Sequence, residues 1–226
     1  MYILSIDVGI KNLAHCLLQI EDKTYSIVEW DSIDICNVKK EVCKEFLKNK
    51  IKTCDKQACI RKDNKCYCKT HAKKYIEDGV YEEIKYDNAK EIRLVDLGIN
   101  ILEQYDKLFS KYKIDTVIIE NQISRIATRM KTIQGMIMQY FIIKQTNDIE
   151  FISSTNKLKL FTSKKTDYKE RKKMGIEYCK ETIIKDENLI KWLNIFEKHK
   201  KKDDLADSFL QGLWYMNNRK LIKLFS

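Results

Sequence analysis

Ile3-Leu4-Ser5-Ile6-Asp7-Val8-Gly9-Ile10-Lys11-Asn12-Leu13-Ala14 is the stretch on which the fold turns. Residues 2–8 form an apolar run that ends on an acid, with Gly9 directly behind it. That pattern predicts a short buried strand carrying a carboxylate at its tip. β-Branched and aromatic residues then fill 12–20 and 23–31 around the polar break Glu21-Asp22-Lys23, which predicts a hairpin. The first three strands therefore read as an antiparallel meander.

Further along, residues 115–121 (DTVIIEN) repeat the opening pattern, an apolar run closed by an acid, Glu120. A short helix is expected over 41–49. A long amphipathic helix is expected over about 86–110, with Ile92, Val95, Ile99, Leu102, Tyr105 and Phe109 at helical spacing. A second helix follows over 124–146, a strand over 149–154, basic helical segments over 168–186 and 187–199, and a last helix from about Asp203 to Asn217. The order βββ-α-β-α-β-α-α predicts an α/β domain, a mixed five-stranded sheet flanked by helices. We read 1–50 and 76–226 as this domain and 51–75 as an insertion in it.

Composition sets outer limits. A hydrophobic share of 44% against 34% charge describes a globular chain and excludes a disordered one. The net charge of +10 fits a polyanionic partner, although a solvated lysine-rich surface gives the same number. There is no proline, so turns rest on Gly, Asn, Asp and Lys. No run approaches ~18 apolar residues, so neither a membrane span nor a membrane partner is expected. The first residues lack a basic leader, so a cytoplasmic location is expected, and the eight cysteines read as thiols or metal ligands.

Single acids at strand ends usually cap helices or form turns. The set is what carries information. Asp7 and Glu120 end strands, while Asp204 and Asp207 stand at i and i+3 on one face of the last helix. Crowded carboxylates repel one another unless cations bind them. Phosphodiester hydrolysis uses such a set, since two Mg²⁺ ions roughly 4 Å apart activate water and stabilise the leaving oxygen. Asp203 is rotated about 100° from Asp204 on a helix, so it takes second place.

Four segments, in this order and spacing, resemble the RuvC-like Holliday junction resolvases, above all the poxvirus type of large DNA viruses. They are Ile3–Ala14, Val117–Gln122, Phe151–Lys157 and Lys202–Ser208. The resemblance implies an RNase H-like fold and Mg²⁺ (with Mn²⁺ as a substitute), two ions per site, on Asp7, Glu120, Asp204 and Asp207. It also implies a homodimer making paired symmetric cuts in four-way DNA junctions, one active site per protomer, with no small-molecule substrate.

The insertion holds Cys54, Cys59, Cys66, Cys68 and His71. Tetrahedral Zn²⁺ takes four thiolate or imidazole ligands from short loops. Cys54, Cys59, Cys68 and His71 form the expected set, with Cys66 as the alternative ligand, because the spacing Cys66-x-Cys68 is tight. Too little apolar material surrounds them to fold without a metal. Cys43 reads as a core or surface residue.

Lys11, Lys157, Lys159, Lys164, Lys165, Arg171, Lys172 and Lys201 are the candidate DNA contacts, since they adjoin the acidic segments along the chain. Contacts of this kind position a phosphate backbone without reading bases. Three other readings compete. One is an RNase H-like nuclease for RNA–DNA hybrids or transposon ends. Another is a non-catalytic zinc-containing DNA-binding protein. The third is an actin/sugar-kinase ATPase, which needs a longer chain and a second phosphate loop.

Overall fold

The computed structural model describes residues 1–36, 41–48, 51–77, 79–86, 89, 91–122, 128–162 and 167–223. Two compact units result, one from Met1–Cys36 with Arg93–Ser226 and the other from Asn37–Ile92. The second is wider than the 51–75 read from the cysteines.

The chain opens with β1 (Tyr2–Asp7), β2 (Leu13–Glu21) and β3 (Thr24–Ile33), antiparallel in sequence order. The β2–β3 hairpin closes through Asp22 and Lys23, both at positive φ (47° and 64°), the backbone that right-twisted strands require of a two-residue turn. The second unit follows with β4 (Ile60–Lys62), β5 (Lys65–Tyr67), α1 (Lys69–Ala72) and β6 (Glu82–Glu83). The first unit resumes with α2 (Leu94–Phe109), β7 (Thr116–Glu120), α3 (Thr128–Ile143), β8 (Asp148–Ile152), α4 (Tyr168–Lys185), α5 (Leu193–Lys198) and α6 (Lys202–Asn218).

The large sheet has the order β3-β2-β1-β7-β8, with β7 parallel to both β1 and β8. Central β1 therefore joins the antiparallel meander to the parallel half, and its end lies beside the end of β7. Alternation sends Ile3 to one face, where it packs with Cys16, Ile118, Phe209 and Leu213 under α6. On the opposite face His15 meets the ring of Phe109 on α2 edge-on at 5.2 Å, and Tyr105, Phe109 and Phe141 join α2 to α3. The sheet is thus covered on both sides.

Two expectations need correction. Residues 41–48 form no helix. They pair backward through the bridges Val42↔Gln57 and Phe46↔Thr53, and Cys43 N–H and Cys54 N–H donate to the carbonyls of Lys56 and Glu45. That pairing draws the preceding segment into the second unit. On α2 the buried stripe is Leu97, Ile101, Tyr105 and Phe109, whereas Val95, Ile99 and Leu102 are more than half exposed. The helix carries two apolar stripes, and helical spacing alone does not say which one faces the sheet.

Candidate active site

The end of β1 places Asp7 in a buried position, and the parallel register Ile6↔Ile119 brings Glu120 level with it on β7. Gly9 lets the chain turn immediately afterwards, because a Cβ there would collide with the Asn12 carbonyl. The turn itself demands this glycine, with no phosphate needed to explain it.

Helix α6 is fixed to the sheet by buried polar contacts. The Trp30 indole donates to the Leu205 carbonyl (3.0 Å), and the Gln211 amide donates to Ser5 Oγ and the Ile6 carbonyl (3.2 Å each). Gly212 allows the close approach, since a Cβ there would lie 2.5 Å from Leu18 Cδ1. One turn before Gln211, Asp207 is thereby held over the tip of β1. Gly175 of α4 leaves room above it, its would-be Cβ lying 3.7 Å from Asp207 Oδ1.

The three acids converge on Lys157, which follows the short turn Ser154–Asn156 after β8. Lys157 is 4% exposed, and its ammonium lies 3.3 Å from Asp7, 3.1 Å from Glu120 and 2.9 Å from Asp207. Burial pushes the Asp7 carboxyl up to about 7, against the opposing pull of Lys157. Burial, Asp203 and Asp7 raise Asp204 to about 6, and burial raises Asp207. Burial alone would lower the Lys157 ammonium, yet Asp7, Asp207 and Glu120 together raise it. One buried ammonium faces more acids than it can neutralise, and part of the excess is held as bound protons. Buried carboxylates with raised proton affinity are a fitting donor set for a hard divalent cation.

Asp203 turns away and pairs with Lys172, so Asp204 is the member of that couple whose charge bears on Asp7. Gln122 donates to Glu120 (3.3 Å) and receives its own backbone support from Gln134 (3.1 Å). Neither glutamine nor Gln211 carries a spacing that sequence reasoning could use.

The expected DNA contacts divide. Lys11, Lys159, Arg171 and Lys201 are exposed, and Lys172 is half-buried against Asp203. Lys164 and Lys165 lie outside the described residues. Lys157 is corrected from a surface contact to the centre of the pocket, where three carboxylates compensate its charge.

In the second unit, the metal-binding geometry belongs to Cys43, Cys54, Cys68 and His71, whose ligand atoms all lie within 4.8 Å of one another. Cys43 stands in the place expected for Cys59. Cys59 is held between β5 and the residue just after β6 by backbone bonds to Tyr67 and Ile84, and Cys66 donates its thiol to Glu41. Burial opposes ionisation of Cys68, but backbone N–H groups of His71 and Thr70, with Cys54 and Cys43, hold its thiol below the usual range. Among the described residues no helix is long and apolar enough to cross a membrane.

The fold has counterparts among solved structures. The fold is similar to that of the fowlpox virus Holliday junction resolvase (20% identity, TM-score 0.52, 97% of this chain and 99% of the other). It is also similar to that resolvase solved with Holliday junction DNA (19%, 0.51, the same coverage) and to the yeast mitochondrial resolvase Ydc2 (16%, 0.53, 97% and 79%). An uncharacterized protein of Acanthamoeba polyphaga mimivirus is 31% identical over 202 residues, 76% of this chain and 48% of its own length. This chain thus spans about half of that relative. The family model described as Poxvirus A22 protein matches residues 76–219, and that described as Mitochondrial resolvase Ydc2 / RNA splicing MRS1 matches residues 3–142. With more than half of its length matched by each model, the chain belongs to the Mitochondrial resolvase Ydc2 / RNA splicing MRS1 family and to the Poxvirus A22 protein family.

Proposed function

We propose that this protein is a structure-selective endonuclease that makes paired symmetric phosphodiester cuts in four-way DNA junctions. The observation that carries the reading is the convergence of Asp7, Glu120 and Asp207 within 3.3 Å of one buried point, with Asp204 close enough for the Asp7 charge to raise its proton affinity. Asp7, Glu120, Asp204 and Asp207 would hold Mg²⁺, with Mn²⁺ as a substitute. The ions supply an activated water and charge stabilisation at the scissile phosphate.

The chain's own residues do the rest. Gln122 orients the Glu120 carboxylate, and Gln211 fixes α6 so that both late aspartates face β1. Lys157 bridges Asp7, Glu120 and Asp207 and so holds the three carboxylates together before a cation binds. Lys11, Lys159, Arg171 and Lys201 are exposed cations suited to the phosphate backbone.

A homodimer is part of the same reading, because paired cuts need two sites. What supports it is the exposed stripe Val95, Ile99 and Leu102 on α2, an apolar face suited to a self-complementary contact with a second copy.

The matched family also carries the words RNA splicing in its description. The intact carboxylate set favours hydrolysis over RNA binding alone. Incubation with four-way junctions, linear DNA duplex and RNA–DNA hybrid in Mg²⁺ separates the readings. Symmetric nicking of the junction, lost in Asp7→Asn, is expected. Equal cutting of all three substrates, or full activity in Asp7→Asn, would overturn the proposal.

A further inference from the structure

Three separate pieces of the second unit bring ligands to one point. Cys43 lies on the first arm of the irregular hairpin, Cys54 on its return arm, and Cys68 and His71 bracket the start of α1. The Sγ atoms of Cys54 and Cys68 are 3.8 Å apart, and His71 Nδ1 lies 3.3 Å from Cys43 Sγ and 3.6 Å from Cys68 Sγ. These sulfurs are free thiols, too far apart for disulfides. The distances instead match the edges of a small tetrahedron. With metal–sulfur bonds of about 2.3 Å and metal–nitrogen bonds of about 2.0 Å, its S···S edges are about 3.8 Å and its S···N edges about 3.6 Å.

We propose that Cys43, Cys54, Cys68 and His71 form a structural Zn²⁺ site that cross-links the second unit, with Cys59 and Cys66 outside it. Three thiolates and one imidazole in tetrahedral array select zinc over the hard cations suited to carboxylates. All four positions are filled by protein, so the site is closed and has no place for a catalytic water.

The need for a metal is visible in the packing. Among the described residues the buried cluster of this unit is Cys43, Ile60, Tyr67, Cys68 and Ala72, with Cys54, Cys59 and Tyr75 packed against it, so three of these eight are ligands. Beside the ligands and Cys59, the described apolar side chains are chiefly Ala58, Ile60, Tyr67, Ala72 and Tyr75, a small core for a unit of this length, and a metal cross-link would add to what it holds together. Cys59 packs against this group as an ordinary apolar side chain. Cys66 belongs to a different cluster, in which Glu41 accepts from both its thiol and the Arg61 guanidinium.

The test uses the full chain and reads metal content, not cleavage, so its result is independent of the nuclease reading. Elemental analysis should find one zinc per chain, retained in Cys59→Ser and Cys66→Ser. Cys43→Ser should weaken zinc binding by more than roughly 100-fold, beyond the loss typical of an outer-shell partner. Co²⁺ replacing zinc should give the strong absorption of a tetrahedral thiolate site. His71→Cys guards against misfolding in Cys43→Ser, since it should keep stoichiometric metal and change the Co²⁺ spectrum to that of four thiolates. Loss of zinc in Cys59→Ser with retention in Cys43→Ser, an unchanged Co²⁺ spectrum in His71→Cys, or zinc-free wild-type protein after refolding with Zn²⁺ would each overturn the assignment.

Discussion

Lys157 and Asp7 set the behaviour of the pocket at the level of single side chains. An acid whose proton affinity rises on folding keeps a proton that the unfolded chain has already released. For Asp7 that window runs from its ordinary 3.8 to about 7, so the metal-free protein should lose stability as pH climbs through it. Asp204, raised to about 6, acts in the same direction. Thermal melts in a chelator should show Tm falling across this range, with a smaller fall in Asp7→Asn; an identical fall in the mutant would remove Asp7 as the cause. Metal must displace that proton, so cleavage should rise with pH through 6 to 7. Asp7→Asn should cost cleavage on the order of 10³-fold or more, equivalent to losing several kcal/mol of charge stabilisation. Lys157→Met strands three buried carboxylates, a loss of about 3–5 kcal/mol at neutral pH. Added Mg²⁺ should restore part of its Tm, and a melt indifferent to Mg²⁺ would count against the pocket as a cation site.

Among the elements, α6 decides whether the acids meet. Its approach to β1 and β2 depends on Gly212, and Gly212→Ala should destabilise by about 1–3 kcal/mol through overpacking against Leu18. Denaturant titration would measure this, and a neutral result would mean that α6 has slack. The strands bearing Asp7 and Glu120 were legible because an apolar run closed by an acid is a local pattern. The late aspartates were legible through helical spacing. Lys157 was not, because a lysine among lysines carries no mark of burial, and only the turn after β8 directs it inward. Cys43 was missed for a related reason. It lies 11 residues before Cys54, and the pairing of 41–48 with 53–57 that brings it round is itself non-local. On α2, local spacing was ambiguous, since both stripes have helical period.

For the molecule as a whole, the exposed α2 stripe is where the proposed dimer would form. Ile99→Lys with Leu102→Glu should cost the monomer little stability, because both side chains are half exposed and outside the buried stripe of α2. The same pair should convert a dimer to a monomer in sedimentation and turn coupled double cuts into single nicks. Unchanged sedimentation would place the contact elsewhere.

The ammonium buried among the carboxylates has a consequence for handling the protein. It acts as a built-in counter-ion, so the large sheet need not wait for magnesium to assemble. Stripping divalent ions with EDTA should therefore silence cutting while the sheet stays native and ready for restart on re-addition. The thiolate-bearing unit has no such internal substitute, so a chelator that also takes its zinc, EDTA included, should unravel that unit alone.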